Sequence, residues 1–225
     1  MGIRRFVLDL IFPPKCVFCR VILKRGESDF CADCEVKLPF CSAEHAVQPG
    51  VGYSICVSPL FFKGHVRDSL HRYKFQNAKH YRRGYSRLLA ECIREYCSDR
   101  YDLISWIPVS EKRRKKRGYD QSMLLAMATA LELSDVAVET LKKVRDTPPQ
   151  SNLGKWDERA ANIQDAYEIS DAELVEGKRI LLIDDIVTTG ATLSEAAACL
   201  LAAGVSEVLC ATLARGDVAK IAQLV

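Results

Sequence analysis

The stretch that decides the fold is Arg179-Ile-Leu-Leu-Ile-Asp184-Asp185-Ile-Val-Thr188-Thr189-Gly190-Ala191-Thr192. Four consecutive large aliphatic residues read as a strand buried on both faces, as in a parallel sheet covered by helices. Two adjacent carboxylates follow at its C-terminal end, and a Thr/Gly-rich turn then opens an apolar helix at 192–203. In open α/β sheets ligands bind at the carboxyl ends of the strands. The helix start offers unpaired N–H groups and a partial positive charge to a phosphate, and Gly190 allows close backbone approach. The carboxylates would repel that phosphate. They suit the two neighbouring hydroxyls of a ribose, or the water shell of Mg²⁺. A ribose 5-phosphate satisfies both halves. No Lys follows the glycine, so this is not a P-loop.

Outward from this segment the pattern alternates strand and helix. Strands are predicted at 53–62, 103–109, 137–141, 166–169, 179–183 and 208–213. Helices are predicted at 64–75, 79–97, 121–131 and 158–162, with a short amphipathic helix at 1–15 stopped by Pro13-Pro14. Such alternation predicts an α/β fold, a parallel sheet flanked by helices. Residues 146–156, with Pro148-Pro149, Asn152 and Gly154, form a loop long enough to be functional.

The chain has 225 residues, 48% hydrophobic and 27% charged, with ten cysteines, which suits a globular protein rather than a disordered or fibrous one. The apolar stretch 6–12 is short, broken by Asp9 and without a small-residue cleavage site. No run of about 18 apolar residues would span a membrane. These features predict a cytoplasmic chain with reduced thiols, in which clustered cysteines read as metal ligands before disulfides. Cys16-Val-Phe-Cys19 and Cys31-Ala-Asp-Cys34 form two CxxC turns, the spacing that supplies four sulfurs to one tetrahedral zinc. A site closed by Cys16, Cys19, Cys31 and Cys34 leaves no open position for water, so the zinc is structural; the alternative is four reduced core thiols. Cys41 and His45 offer half of a further site with no matching half. The expected organisation is a helix and zinc module at 1–50 followed by the α/β domain at 51–225.

Charge is concentrated. Residues 61–120 carry 16 Lys/Arg against 7 Asp/Glu, so the rest of the chain is net acidic although the total is only +3. Lys112-Arg113-Arg114-Lys115-Lys116-Arg117 is an unbroken cationic run with three open readings: a diphosphate funnel, a single-stranded DNA contact, or a solvated loop. Tyr73, Phe75, Tyr81 and Tyr85 are interleaved with nearby cations, either as stacking rings or as helix core.

The order of these motifs adds a resemblance. The 181–192 segment is similar to the 5-phosphoribosyl 1-diphosphate (PRPP) signature of type I phosphoribosyltransferases. The cysteine module, "Pro108-Val-Ser" through "Arg117-Gly-Tyr-Asp-Gln121", "Arg145-Asp-Thr-Pro-Pro-Gln150" with Arg159 and Asn162, and then this loop together resemble the ComF family of bacterial DNA uptake. The resemblance spans nearly the whole chain. It implies that Asp184 and Asp185 are catalytic and hold the ribose hydroxyls, and that Thr188, Thr189, Gly190, Ala191 and Thr192 hold the 5-phosphate. It implies diphosphate contacts from Pro108, Val109 and Ser110 with Lys112 close by, and a closing loop at 145–159. Arg113, Arg114, Lys115, Lys116 and Arg117 remain the possible polyanion or DNA contact. Mg²⁺ with PRPP, structural zinc, single-stranded DNA and a helicase-like competence partner are the implied ligands and partners. Acceptor specificity would lie in a hood, by elimination partly residues 53–81. A working phosphoribosyltransferase on an amine or base acceptor, and a PRPP sensor without turnover, stand beside the DNA-uptake reading, because no general base stands out.

Overall fold

The computed structural model describes residues 13–145 and 166–216. The predicted helices at 1–15 and 158–162 and the 146–156 loop lie largely or wholly outside these residues. Strands β1 (Val47–Gln48), β2 (Cys56–Val57), β3 (Leu60–Phe61), β4 (Leu103–Trp106), β7 (Arg179–Val187) and β8 (Glu207–Arg215) form one sheet in the order β1-β2-β8-β7-β4, with β3 also on β8. Every pairing is parallel except β1 with β2. Strands β5 (Leu141–Lys143) and β6 (Tyr167–Ile169) make a separate antiparallel pair. The sheet is therefore the parallel one expected, with an antiparallel edge.

The 179–187 strand works as its sequence requires. Ile180 and Leu182 enter one hydrophobic cluster, while Leu181 and Ile183 enter the other, following the period of two along a strand. Helices α3 (Gly64–Phe75), α4 (Arg82–Cys97) and α6 (Gln121–Glu132) cover the face of Leu181 and Ile183. The short α7 (Ala172–Val175) and α8 (Ala191–Ala202) cover the other, through Val175, Leu193, Ala196, Ala197 and Leu200. Two further helices, α1 (Ala32–Lys37) and α2 (Ala43–Ala46), belong to the N-terminal segment, and α5 (Glu111–Arg117) is the cationic run itself.

Several predicted elements change. The 53–62 strand is two short pieces, β2 and β3, and both join β8. Residues assigned to a hood by elimination thus partly extend the sheet, because Pro59 supplies no N–H to a continuous ladder. The 103–109 strand ends at Trp106, ahead of Pro108. Ala137 makes only an isolated parallel bridge to Ile104, and the strand nearby runs from Leu141.

The cysteine segment does not stand apart. Val17, Phe18, Leu23 and Leu38 share one cluster with Leu70, Tyr73 and Tyr85 of the helices. Ser69 Oγ and the Arg72 guanidinium both donate to the Val17 carbonyl, at 2.5 and 3.2 Å. Asp29 receives Arg87 at 2.8 Å and Arg83 at 3.6 Å. Tyr73, Tyr81 and Tyr85 are buried there, so these rings are core; only Phe75 of the four is exposed.

Candidate nucleotide-binding site and metal centre

Strand β7 carries Asp184 and Asp185 to the C-terminal edge of the sheet, where α8 begins after Gly190. Gly190 has φ 79°, the left-handed region that glycine tolerates. A Cβ there would lie 2.7 Å from the Tyr53 hydroxyl. The same ring fills the space over Gly50, where a Cβ would fall 1.9 Å from Cζ. Tyr53 thus seats the phosphate-type loop from beneath. The sequence places Tyr53 at the start of a strand and of the expected hood, not under this loop; the glycines near it at 50 and 52 are the available signal.

This contact makes a prediction. Gly190→Ala combines left-handed strain with the hydroxyl clash and should lower the melting temperature by roughly 3–8 °C. Adding Tyr53→Phe removes the clash, since Cζ is 3.8 Å away, and should recover part of the loss. Equal calorimetric values for the single and double variants would refute the seating role.

The loop after β4 is held from the other side. Asp120, buried, accepts Val109 N at 3.0 Å with one oxygen and caps α6 through Met123 N at 3.0 Å with the other. Burial nevertheless raises the Asp120 carboxyl. Ser110 caps α5 by accepting Arg113 N at 3.4 Å, and Gly118, at φ 76°, ends it.

A cavity of about 200 Å³ lies over this edge, lined by Pro108, Val109, Arg113, Arg117, Lys74, Lys143, Tyr167, Asp184, Asp185 and Thr192. A smaller hollow beside it is lined by Thr188–Thr192. Of the sequence candidates, Asp184, Asp185, Pro108, Val109 and Thr188–Thr192 therefore converge on one place. Ser110 and Lys112 do not line the cavity: Ser110 is used as a helix cap, and Lys112 is exposed. The cationic run is a helix, not a loop. Only Arg113 and Arg117, one turn apart, line the cavity; Lys112, Arg114, Lys115 and Lys116 are exposed. Lys74 is among the cations interleaved with Tyr73 and Phe75 in the sequence, but Lys143 and Tyr167 have no sequence signal. The β5–β6 pair and the end of α3 bring them in, with Lys143 Nζ donating to the Tyr167 hydroxyl at 3.1 Å.

Asp184 Oδ1 accepts Ser122 Oγ at 2.7 Å and Asp185 N at 2.8 Å. Burial first, then the neighbouring Asp185 charge, pushes its carboxyl up to about 7. Asp185 is 3% exposed, and its Oδ2 lies 2.9 Å from Lys74 Nζ. That approach is an ion pair without hydrogen-bond geometry, so Oδ2 keeps an unused acceptor.

The four cysteines meet. The Sγ atoms of Cys16, Cys19, Cys31 and Cys34 lie within 4.8 Å of one another, with Cys19 and Cys31 at 3.6 Å. Sulfurs held 2.3 Å from a tetrahedral zinc are about 3.8 Å apart, so the set fits that ion. Burial opposes ionisation of Cys16, but backbone donation at Cys19, Cys31 and Phe18 brings its thiol down to about 7. Cys41 and His45 join no such group among the described residues. Burial raises Cys41 to about 11, and His45 Nδ1 is 2.7 Å from Ser42 Oγ.

Comparison with known proteins agrees with both halves. A double zinc ribbon domain matches residues 7–47, and a phosphoribosyl transferase domain matches residues 120–223. Competence protein F of Haemophilus influenzae is 27% identical over 227 residues, covering 89% of this chain and 96% of that one. Competence protein ComFC of Streptococcus pneumoniae is 29% identical over 205 residues, covering 88% and 80%. The chain is similar to ComF-family proteins along most of its length. DNA utilization protein YhgH of Escherichia coli, 27% identical over 230 residues and covering 91% and 100%, extends the same likeness. The chain carries a phosphoribosyltransferase-type α/β domain behind a zinc-ribbon segment, with one four-cysteine set among its described residues. Among its described residues no helix is long and apolar enough to cross a membrane.

Proposed function

We propose that this chain, as a ComF-family protein, binds PRPP with Mg²⁺ and works in DNA uptake, handling incoming single-stranded DNA in the cytoplasm beside a helicase-like partner. One observation carries the reading: an Asp pair and a helix-opening Thr/Gly loop share a cavity edge with Lys74, Arg113, Arg117 and Lys143. A ribose bearing a 5-phosphate and a diphosphate matches that division of charge. Asp184 and Asp185 hold the ribose hydroxyls. Thr188–Thr192 and the start of α8 hold the 5-phosphate. Pro108, Val109 and the cations hold the diphosphate. The unused Asp185 Oδ2 fits a water of the Mg²⁺ shell. Mg²⁺, when bound, neutralises diphosphate charge. The competence and DNA-utilization names of the relatives support the cellular role.

The test is a melting curve with PRPP and Mg²⁺. At a hundredfold excess over Kd the ligand adds about 2.7 kcal/mol, roughly 5–10 °C for a chain of this size. Asp184→Asn combined with Asp185→Asn should abolish the shift; no shift in the native protein would overturn the reading. Turnover with an amine or base acceptor is a second reading. Acceptor-dependent pyrophosphate release would establish it.

A further inference from the structure

Phe75 is the most exposed aromatic side chain among the described residues, at 56%. It stands at the end of α3, directly after Lys74, which lines the cavity. One turn back on the same face, the His71 ring has its centroid 4.9 Å from that of Phe75. The guanidinium of Arg117 lies 5.0 Å from the Phe75 ring centre. Arg117 also lines the cavity, so one residue touches both the diphosphate region and an open aromatic face. Beside it, α5 exposes Lys112, Arg114 and Lys116 away from the cavity, with Lys115 paired to Glu111 at 2.7 Å.

A single exposed phenylalanine needs no explanation. An exposed ring flanked by an imidazole and a guanidinium, next to Lys112 and Lys116 one turn apart on the exposed side of α5, has the composition of a single-strand platform. Bases stack on aromatic and guanidinium planes while cations follow the phosphates. We propose that Phe75, with His71 and Arg117, stacks one base of a single-stranded nucleic acid at the cavity rim, and that the exposed face of α5 holds the adjacent phosphates. This deepens the DNA-handling reading and rests on it. A strand rather than a free base is the occupant, because a free base has no phosphates for the outward cations.

The experiment compares anisotropy of a labelled oligonucleotide of about 12 nucleotides with that of an abasic strand of equal length. The native protein should prefer the base-bearing strand. Phe75→Ala should weaken that binding by about 5- to 100-fold and leave the abasic strand unaffected. Phe75→Trp should retain the preference, with its indole emission quenched by the base-bearing strand. Both variants should keep the PRPP-dependent melting shift. Equal preference in native protein and Phe75→Ala overturns the platform, as does native protein with no preference for bases. Displacement of the strand by free nucleobase as efficiently as by nucleotides overturns the strand as occupant. Native protein binding neither strand removes the DNA reading as well. Strand binding without a PRPP shift removes only the PRPP reading.

Discussion

Stripping zinc from the reduced protein should lower its melting temperature by more than about 10 °C, and zinc returned at one equivalent per chain should restore it. Binding free energies of structural zinc reach about 10–16 kcal/mol in small peptides and act as folding energy. Here that energy organises a segment with few apolar side chains of its own. Val17 and Phe18, between the first two ligands, are buried against the helices that cover the sheet. If the CxxC turns open, the Val17 carbonyl leaves Ser69 and Arg72, and Asp29 leaves Arg83 and Arg87. Ser69 is fully buried and bonded also to the Tyr85 hydroxyl, so losing Val17 leaves one O–H of that buried pair without an acceptor, at a cost of about 1–3 kcal/mol. The unfolding therefore spreads into α3 and α4. Cys16→Ser should reproduce the loss. The matching domain is described as a double zinc ribbon, yet the described residues contain one four-cysteine set. Two zinc equivalents in a colorimetric assay, or a melting point indifferent to chelation, would contradict this account.

Asp184→Asn should stabilise the ligand-free protein above pH 7 while eliminating its response to PRPP. The folded carboxyl sits near 7, against an ordinary value of 3.8, because burial and Asp185 oppose its charge. Between these values the folded state keeps a proton that the unfolded state has lost. Stability from this group is thus complete below about pH 4 and declines as pH rises through 7. Asparagine never carries the charge, and its carbonyl can still accept from Ser122 and Asp185 N. Three pKa units correspond to about 4 kcal/mol. Water at the cavity mouth reduces the expected gain at pH 8 to roughly 1–3 kcal/mol. A melting-temperature profile from pH 4 to 8 that is flatter in the variant, with no PRPP shift, is the expected pattern. A variant less stable than the native protein at pH 8 would show that Asp184 is not held against its charge.

Much of the site was legible in local sequence because its parts are consecutive. The 179–192 run contains strand, carboxylates, phosphate-type loop and helix start within one βα unit. Each CxxC pair likewise presents two sulfurs from a single turn. Such features need only backbone geometry and spacing. The cationic run was legible as charge but not as direction. Its helical form, capped by Ser110 and ended by Gly118, turns Arg113 and Arg117 inward and their neighbours outward. Local charge says nothing about which face meets the cavity.

What the sequence by itself determined is the βα identity of residues 179–203, the four sulfurs of the metal set, and the separation of basic and acidic regions. All of these are properties of residues near one another in the chain. What only the tertiary structure decided is which distant groups share the cavity. Lys74 reaches Asp185 across 111 positions, Ser122 reaches Asp184 across 62, and Tyr53 supports Gly190. It also decided that Tyr73, Tyr81 and Tyr85 serve the core while Phe75 faces solvent. Packing selects these partners, because burying the faces of a twisted parallel sheet brings together side chains whose sequence neighbourhoods carry no trace of one another.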